Sequence, residues 1–179
     1  MKDKLEGDVR KAQMGDKIAF TRLIGSLESY LYRISTSIMG SDQEGLDATQ
    51  EALIKAYISL PNLKEPKYFK TWITRILIRE CARMKRNQRK IISMQEVIDN
   101  KNQNNVDNLE LKEAINALED ECRIVILLYY IQDLPLKEVA EILEQPEGTI
   151  KSRLSRARKK LAGYLGKENH IGGILNEQI

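Results

Sequence analysis

The sequence predicts an all-α protein of two small helical domains joined by a flexible linker, the C-terminal one ending in a helix-turn-helix. Three observations carry this. Apolar residues recur at the 3.6-residue period through most of the chain, one polar stretch in the middle loses that period, and the final periodic stretch is broken at Gln145-Pro146-Glu147-Gly148 into two short helices. The β-branched run Ile124-Val125-Ile126-Leu127-Leu128 could pass for a buried strand, but its neighbours continue the helical pattern on both sides.

Leu5, Val9 and Ala12 mark a short first helix that ends near Gly15. Asp16 is placed to cap a long amphipathic helix through Phe20, Leu23, Ile24, Leu27, Tyr30, Leu31, Ile34 and Ile38, and Gly40-Ser41-Asp42 breaks it. From about Glu44 to Leu60, the next helix turns Ala48, Ala52, Leu53, Ala56, Tyr57 and Leu60 inward before Pro61 stops it. A loop through Tyr68 carries Pro66 and two lysines. A third long helix then runs from about Phe69 through Asn87, with Trp72, Ile73, Ile76 and Leu77 on its apolar side and Arg75, Arg79, Arg83 and Arg86 on or near the other. The company of Ile73 and Ile76 assigns Trp72 to the core. Residues 1–87 form a first domain around one small core.

Residues 88–108 fill with amides, among them Asn100, Asn102, Gln103, Asn104 and Asn105. Such a segment buries too little apolar surface to offset its ordering entropy, so it is expected to be a linker, with at most a transient turn around Ile91 to Ile98. Periodicity returns at Leu109, Leu111, Ile115 and Leu118 and again from Ile124 to Ile131, where Tyr129 and Tyr130 are packing residues. The helix-turn-helix completes a second domain at 109–165, and a Gly-rich tail, 166–179, is expected to fray.

In the helix-turn-helix, Leu136, Val139, Ala140 and Leu143 define the first helix, and Thr149 is expected to cap a second that starts near Ile150. Ile150, Leu154, Ala157 and Leu161 then share one stripe, while Lys151, Ser152, Ser155, Arg156 and Lys159 face the opposite way with Arg153, Arg158 and Lys160 on the flanks. A solvated basic helix would show the charge alone. The turn, the capping residue and this sorting favour a major-groove reader, with outward donors for base edges and flanking cations for phosphates.

A net charge of +3 is a weak signal of a polyanionic partner, but the distribution is uneven. Between Lys67 and Lys90 the basic residues are opposed only by Glu80, between Lys151 and Lys160 there is no acid, and the intervening chain is acidic. Two basic surfaces separated in this way suit two contacts with one polyanion. Cys81 and Cys122 lie far apart in helical patterns and are expected to be buried, reduced thiols, and His170 stands alone in the polar tail. No metal-ligand set, nucleophile-base pair or phosphate-binding loop is present, so no cofactor is expected and an enzyme is the least favoured class. With no signal peptide and no apolar run of the roughly 20 residues that a membrane span needs, a cytoplasmic protein is expected.

Three motifs in order resemble the extracytoplasmic-function sigma factors of the sigma-70 family. Asp47-Ala-Thr-Gln50-Glu51-Ala-Leu-Ile-Lys55-Ala-Tyr57 is similar to the family's core-polymerase-binding motif. Phe69-Lys-Thr71-Trp72-Ile-Thr-Arg75-Ile76 is similar to Phe-x-Thr-Trp-Leu-x-Arg-Ile of its promoter-melting helix. Leu118 to Leu127, Glu138-Val-Ala-Glu-Ile-Leu and Gly148-Thr149-Ile-Lys-Ser152-Arg153-Leu-Ser-Arg156-Ala157-Arg158 resemble its −35-reading region.

The resemblance implies a dissociable initiation subunit, monomeric when free. Its partners would be bacterial core RNA polymerase, through clamp coiled coil and flap, promoter DNA, and an anti-sigma factor, often membrane-anchored. Asp47, Gln50, Glu51 and Lys55 would bind the polymerase. Lys64, Lys67, Tyr68, Thr74, Arg75, Arg79 and Arg83 would hold the −10 element as single strand, which needs a cationic track and surfaces for unstacked bases. Thr149, Lys151, Ser152, Arg153, Ser155, Arg156, Arg158 and Lys159 would engage the −35 duplex. Where the family commonly has Arg-Ile-Ala-x-Asn, this chain has Arg75-Ile76-Leu77-Ile78-Arg79; an Arg offers donors only, so the family's −10 preference does not transfer.

Two rival classes remain. A stand-alone helix-turn-helix regulator would need a dimerisation element, and the chain has no heptad seam. A helical adaptor would use the same basic faces to bind acidic proteins.

Overall fold

The computed structural model describes residues 2–92 and 109–164, and no strand occurs among them. The all-α expectation holds. Eight α-helices follow in order among the described residues: α1 (Lys2–Gln13), α2 (Lys17–Met39), α3 (Asp42–Ser59), α4 (Phe69–Ile92), α5 (Leu109–Asn116), α6 (Asp120–Ile126), α7 (Leu136–Leu143) and α8 (Glu147–Tyr164). The chain divides into two compact units, Met1–Val97 with Ala140–Glu144 and Ile98–Val139 with Gln145–Ile179.

In the first unit the punctuation is local. The Asp16 carboxylate accepts from Ala19 N at 2.9 Å and starts α2. Gly40, at φ 80°, ends it by donating its N–H to the Thr36 carbonyl, and Ser41 caps α3 by accepting from Glu44 N. The core is built from Val9, Leu23, Leu31, Ile34, Leu60, Phe69, Ile73 and Leu77, all fully buried. Into it α3 presents only small residues, Gly45, Ala48, Ala52 and Ala56. At Gly45 a methyl group would stand 2.6 Å from Thr36 Cγ2 and 2.9 Å from the Thr36 Cα and N, so the backbones of α2 and α3 meet there. This narrow seam corrects two expectations. Leu53 is only half-buried and Tyr57 is 40% exposed, its ring set edge-on to Phe20 at 5.0 Å, because a helix packed this closely buries one slim stripe.

The connection between α3 and α4 is more ordered than a plain loop. Two single 3-10 turns, Leu60–Asn62 and Pro66–Tyr68, hold Leu60, Leu63 and Pro66 inside. Gln13 of α1 secures the first turn, its Nε2 donating to the carbonyls of Leu60 at 3.1 Å and Leu63 at 2.7 Å. The helix that follows does not stop at Asn87. It continues to Ile92, and Gln88 donates to the Glu44 carboxylate of α3 at 2.8 Å. Of the expected linker, the portion beyond Ile92 lies outside the described residues, as do the tail and His170.

One acid sits inside this unit. Glu80 is 5% exposed and both its oxygens are engaged, Oε1 by Lys55 Nζ of α3 at 2.6 Å and Oε2 by Arg83 Nε at 2.8 Å. Burial acts to raise the Glu80 carboxyl, but the hydrogen bonds from Lys55 and Arg83 and their charges outweigh it and hold the group below its ordinary value.

In the second unit α5 and α6 pack against α8. Arg123, 4% exposed, donates through Nη1 to the carbonyls of Asn116 at 3.0 Å and Leu118 at 3.4 Å and pairs through Nη2 with Asp120, supplying donors to carbonyls that the end of α5 leaves without helical partners. The run read as a possible strand is helical and widens into a π turn, Leu127–Ile131, in which Gln132 N reaches the Leu127 carbonyl at 3.0 Å. Asp133 then adopts φ 51°, a left-handed conformation that Asp tolerates. Both cysteines are buried and free, and burial pushes the Cys81 thiol up to about 12.

The start of α8 also differs from expectation. It begins at Glu147, and the Pro146 carbonyl accepts from Thr149 N at 2.9 Å and Ile150 N at 3.2 Å. Thr149 therefore lies within the first turn rather than at the cap, because Pro146 already supplies the helix-starting carbonyl and a φ near helical.

Two stability measurements follow from these contacts. Gly45→Ala should lower the thermal midpoint, since overpacking costs about 1–3 kcal/mol and exceeds the ~1 kcal/mol that Ala gains in helix propensity. Gly25→Ala, where nothing stands within 4 Å of a new methyl, should raise it. Glu80→Gln should cost about 1–3 kcal/mol at neutral pH. A depressed carboxyl contributes stability that is present above its unfolded pKa and is lost as pH falls, so denaturation curves of the two chains should converge below about pH 4.

Candidate functional site

The expected groove-reading residues lie together on α8. Ile150, Leu154, Ala157 and Leu161 are buried, and Lys151, Ser152, Ser155, Arg156 and Lys159 are exposed on the other side. The flanks behave differently from the outward face. Arg153 is only 15% exposed and turns back to Glu121 of α6 at 2.6 Å, and Lys160 reaches Glu119 at 2.7 Å. The hydrogen bond and charge of Lys160 hold the Glu119 carboxyl below its ordinary value. Together these two acids at the start of α6 set the rotation of α8. Thr149 and Arg158 are half-buried, and the Ser152 hydroxyl donates to the Thr149 carbonyl at 2.8 Å.

On α4, Arg79 and Arg86 are exposed, and Arg75 and Arg83 are half-buried on the same side. Thr74 does not join them. It is fully buried, with its hydroxyl 2.7 Å from the Lys70 carbonyl and 3.4 Å from the Tyr30 hydroxyl, because the step from Arg75 turns it about 100° around the helix. Trp72 is half-buried with its ring centroid 5.8 Å from that of Phe69, so it packs without being enclosed. In the preceding loop Lys64, Lys67 and Tyr68 are exposed, and Lys67 Nζ stands 5.0 Å from the Tyr68 ring centroid. A cationic side with aromatic faces at its near end is an arrangement that can follow a phosphate backbone and stack unpaired bases.

The outer side of α3 carries Asp47, Gln50, Glu51 and Lys55, all exposed. Ile54 and Ile58, 56% and 71% exposed, share that side and add an apolar component that the polar motif does not announce. The signal was there, since turning Ala52 and Ala56 inward turns both isoleucines outward. Lys55 and Glu51 also serve the fold: Lys55 pairs with Glu80, and Glu51 lies 3.9 Å from Arg83 Nη2. Gln13 and Glu80 were likewise unassigned. Gln13 had no local signature, its partners lying 47 and 50 residues away, whereas Glu80 stood out as the lone acid of a basic block. No helix among the described residues is long and apolar enough to cross a membrane.

Family models match the chain twice, sigma-70 region 2 over residues 21–91 and sigma-70 region 4 over residues 108–161. The RNA polymerase sigma factor SigV of Bacillus subtilis is 32% identical over 142 residues, covering 77% of this chain and 86% of the relative. The ECF RNA polymerase sigma factor SigW of the same organism is 28% identical over 176 residues, covering 88% and 94%. Among solved structures, CnrH in complex with the cytosolic domain of CnrY superposes with a TM-score of 0.69 at 20% identity, covering 93% of this chain and 99% of that one. The sigma factor RpoE of Bartonella quintana, in complex with the anti-sigma factor NepR, gives 0.67 at 24% identity, covering 84% and 98%. With region 2 matched across α2 to α4 and region 4 across α5 to α8, the chain belongs to the extracytoplasmic-function sigma factors of the sigma-70 family.

Proposed function

We propose that this chain is an alternative sigma factor that binds bacterial core RNA polymerase and directs initiation at promoters carrying −35 and −10 elements. The observation that carries this reading is the match of both family regions, in order, to the two units whose surfaces sort into an outward basic helix and a cationic helix beside a polar-apolar face. Lys151, Ser152, Ser155, Arg156 and Lys159 are proposed to meet the −35 duplex, with Arg158 and Thr149 at the edge of the contact. Arg153, turned to Glu121, orients the helix. Lys64, Lys67, Tyr68, Arg75, Arg79 and Arg83 are proposed to hold the −10 strand, and Thr74 supports them from inside. Asp47, Gln50, Glu51 and Lys55, joined by Ile54 and Ile58, are proposed to dock on the polymerase.

The chain acts by binding and makes no bonds itself, and its place of work is the cytoplasm, where polymerase and promoter are found. Two separate DNA contacts on one chain raise the effective concentration of the second once the first has formed. An anti-sigma factor, the kind of partner named in the Bartonella quintana complex, is proposed as its regulator.

Run-off transcription with purified bacterial core polymerase tests the reading, and mapping transcript 5′ ends on genomic DNA supplies the promoters. The chain should give discrete starts that core alone does not. Tight duplex binding by the free chain without initiation would instead establish a stand-alone regulator. Replacing Lys151 and Arg156 with Glu should lower −35-dependent run-off by at least about tenfold, since a base-reading contact contributes about 1–3 kcal/mol. The thermal midpoint should hardly move, because both side chains are exposed. Full activity in that double variant would favour an adaptor that does not read DNA.

A further inference from the structure

We propose that Glu80 is a positioning residue that ties the polymerase-docking side of α3 to the promoter-holding side of α4; the inference rests on the function proposed above. Its carboxylate is the one acidic group that the first unit buries among the described residues. It does not merely neutralise a charge. One oxygen holds Lys55 and the other holds Arg83, so a single buried group fixes a cation on each surface. The charges then alternate outward through Glu51, 3.9 Å from Arg83 Nη2, giving the order Lys55, Glu80, Arg83, Glu51 across the two helices.

The geometry at Arg83 shows what the tie accomplishes. The guanidinium meets Glu80 through Nε, one helical turn back on α4, and this anchors the inner edge of the group. The two Nη atoms form the outer end of the group, with Nη2 3.9 Å from Glu51, and the side chain retains 41% exposure. An arginine held by Nε, with Nη2 paired to an exposed carboxylate only at the long distance of 3.9 Å, has its rotamer already selected and can turn its terminal donors to phosphate oxygens when that outer pair gives way. A buried carboxylate is also an expensive way to hold two helices together, because apolar residues would do so without the cost of desolvation. Holding Lys55 and Arg83 in set directions is a task that apolar residues cannot perform.

A double-mutant cycle of Glu80→Gln and Arg83→Gln tests the proposal. The chains are assembled with core polymerase on the promoter that gives the strongest run-off product, at a temperature where all four chains are fully folded. The readouts are the lifetime of open complexes under heparin challenge and its dependence on salt. Glu80→Gln should shorten the lifetime by about tenfold, and adding Arg83→Gln should shorten it by less than about twofold more, as coupled neighbours do. The salt slope should fall by the same amount in either single variant, a change that loss of stability would not produce. Multiplicative effects of the two substitutions, or a Glu80→Gln chain whose open complexes match the unaltered one while Arg83→Gln shortens them, would overturn the proposal and leave the function standing. Failure of the unaltered chain to initiate would overturn both.

Discussion

The tight contact in the first unit where Gly45 of α3 meets the Thr36 backbone of α2 governs much of what surrounds it. Because α3 devotes its buried side to Gly45, Ala48, Ala52 and Ala56, the helix comes near both neighbours and its larger residues are left outside. Ile54, Ile58 and the charged residues between Asp47 and Lys55 are exposed for that reason. The same nearness lets the short reach from Glu80 on α4 meet Lys55 on α3. A bulkier seam would widen the spacing and strand a carboxylate in the core, which is costly when left unpaired.

The second unit solves a different problem, that of aiming a helix. Burial of Ile150, Leu154, Ala157 and Leu161 fixes which side of α8 faces in, but an apolar stripe tolerates some rolling. Two acids at the start of α6, Glu119 at its cap and Glu121 in its first turn, bind Lys160 and Arg153 on either flank and limit it. The exposed pair of Lys160 with Glu119 is weak as a source of stability. As a matched set the two pairs have a directional effect. Arg123, buried where α5 gives way to α6, holds the turn from which those acids project.

Much of this was legible in the sequence because it is written in local chemistry. Asp16, Gly40 and Ser41 act within four residues of themselves, and the apolar periods of α2 and α8 place their own stripes. Thr74 belongs to the same motif as Arg75, yet the wheel arithmetic puts it off the arginine side and the structure buries it. Tyr57 stays exposed for another reason: an aromatic at an inward register says nothing about how little room a glycine-alanine seam leaves beside it. The cap at Thr149 and the width of the turn at Leu127–Ile131 depend on competing local hydrogen-bond choices, Pro146 against Thr149 and i−5 against i−4, that the apolar pattern does not distinguish. Gln13 and the bond from Gln88 to Glu44 could not have been read at all, since no pattern links residues more than forty positions apart.

The division of labour on α8 has a practical consequence. Its interior is carried by four apolar residues and its orientation by two flanking cations, which leaves Lys151, Ser152, Ser155, Arg156 and Lys159 with little part in folding. Those five positions therefore behave as an interchangeable face on an otherwise committed scaffold. Libraries varied there alone should stay folded, so the face proposed above to meet the −35 duplex is open to redesign without loss of the scaffold that carries it.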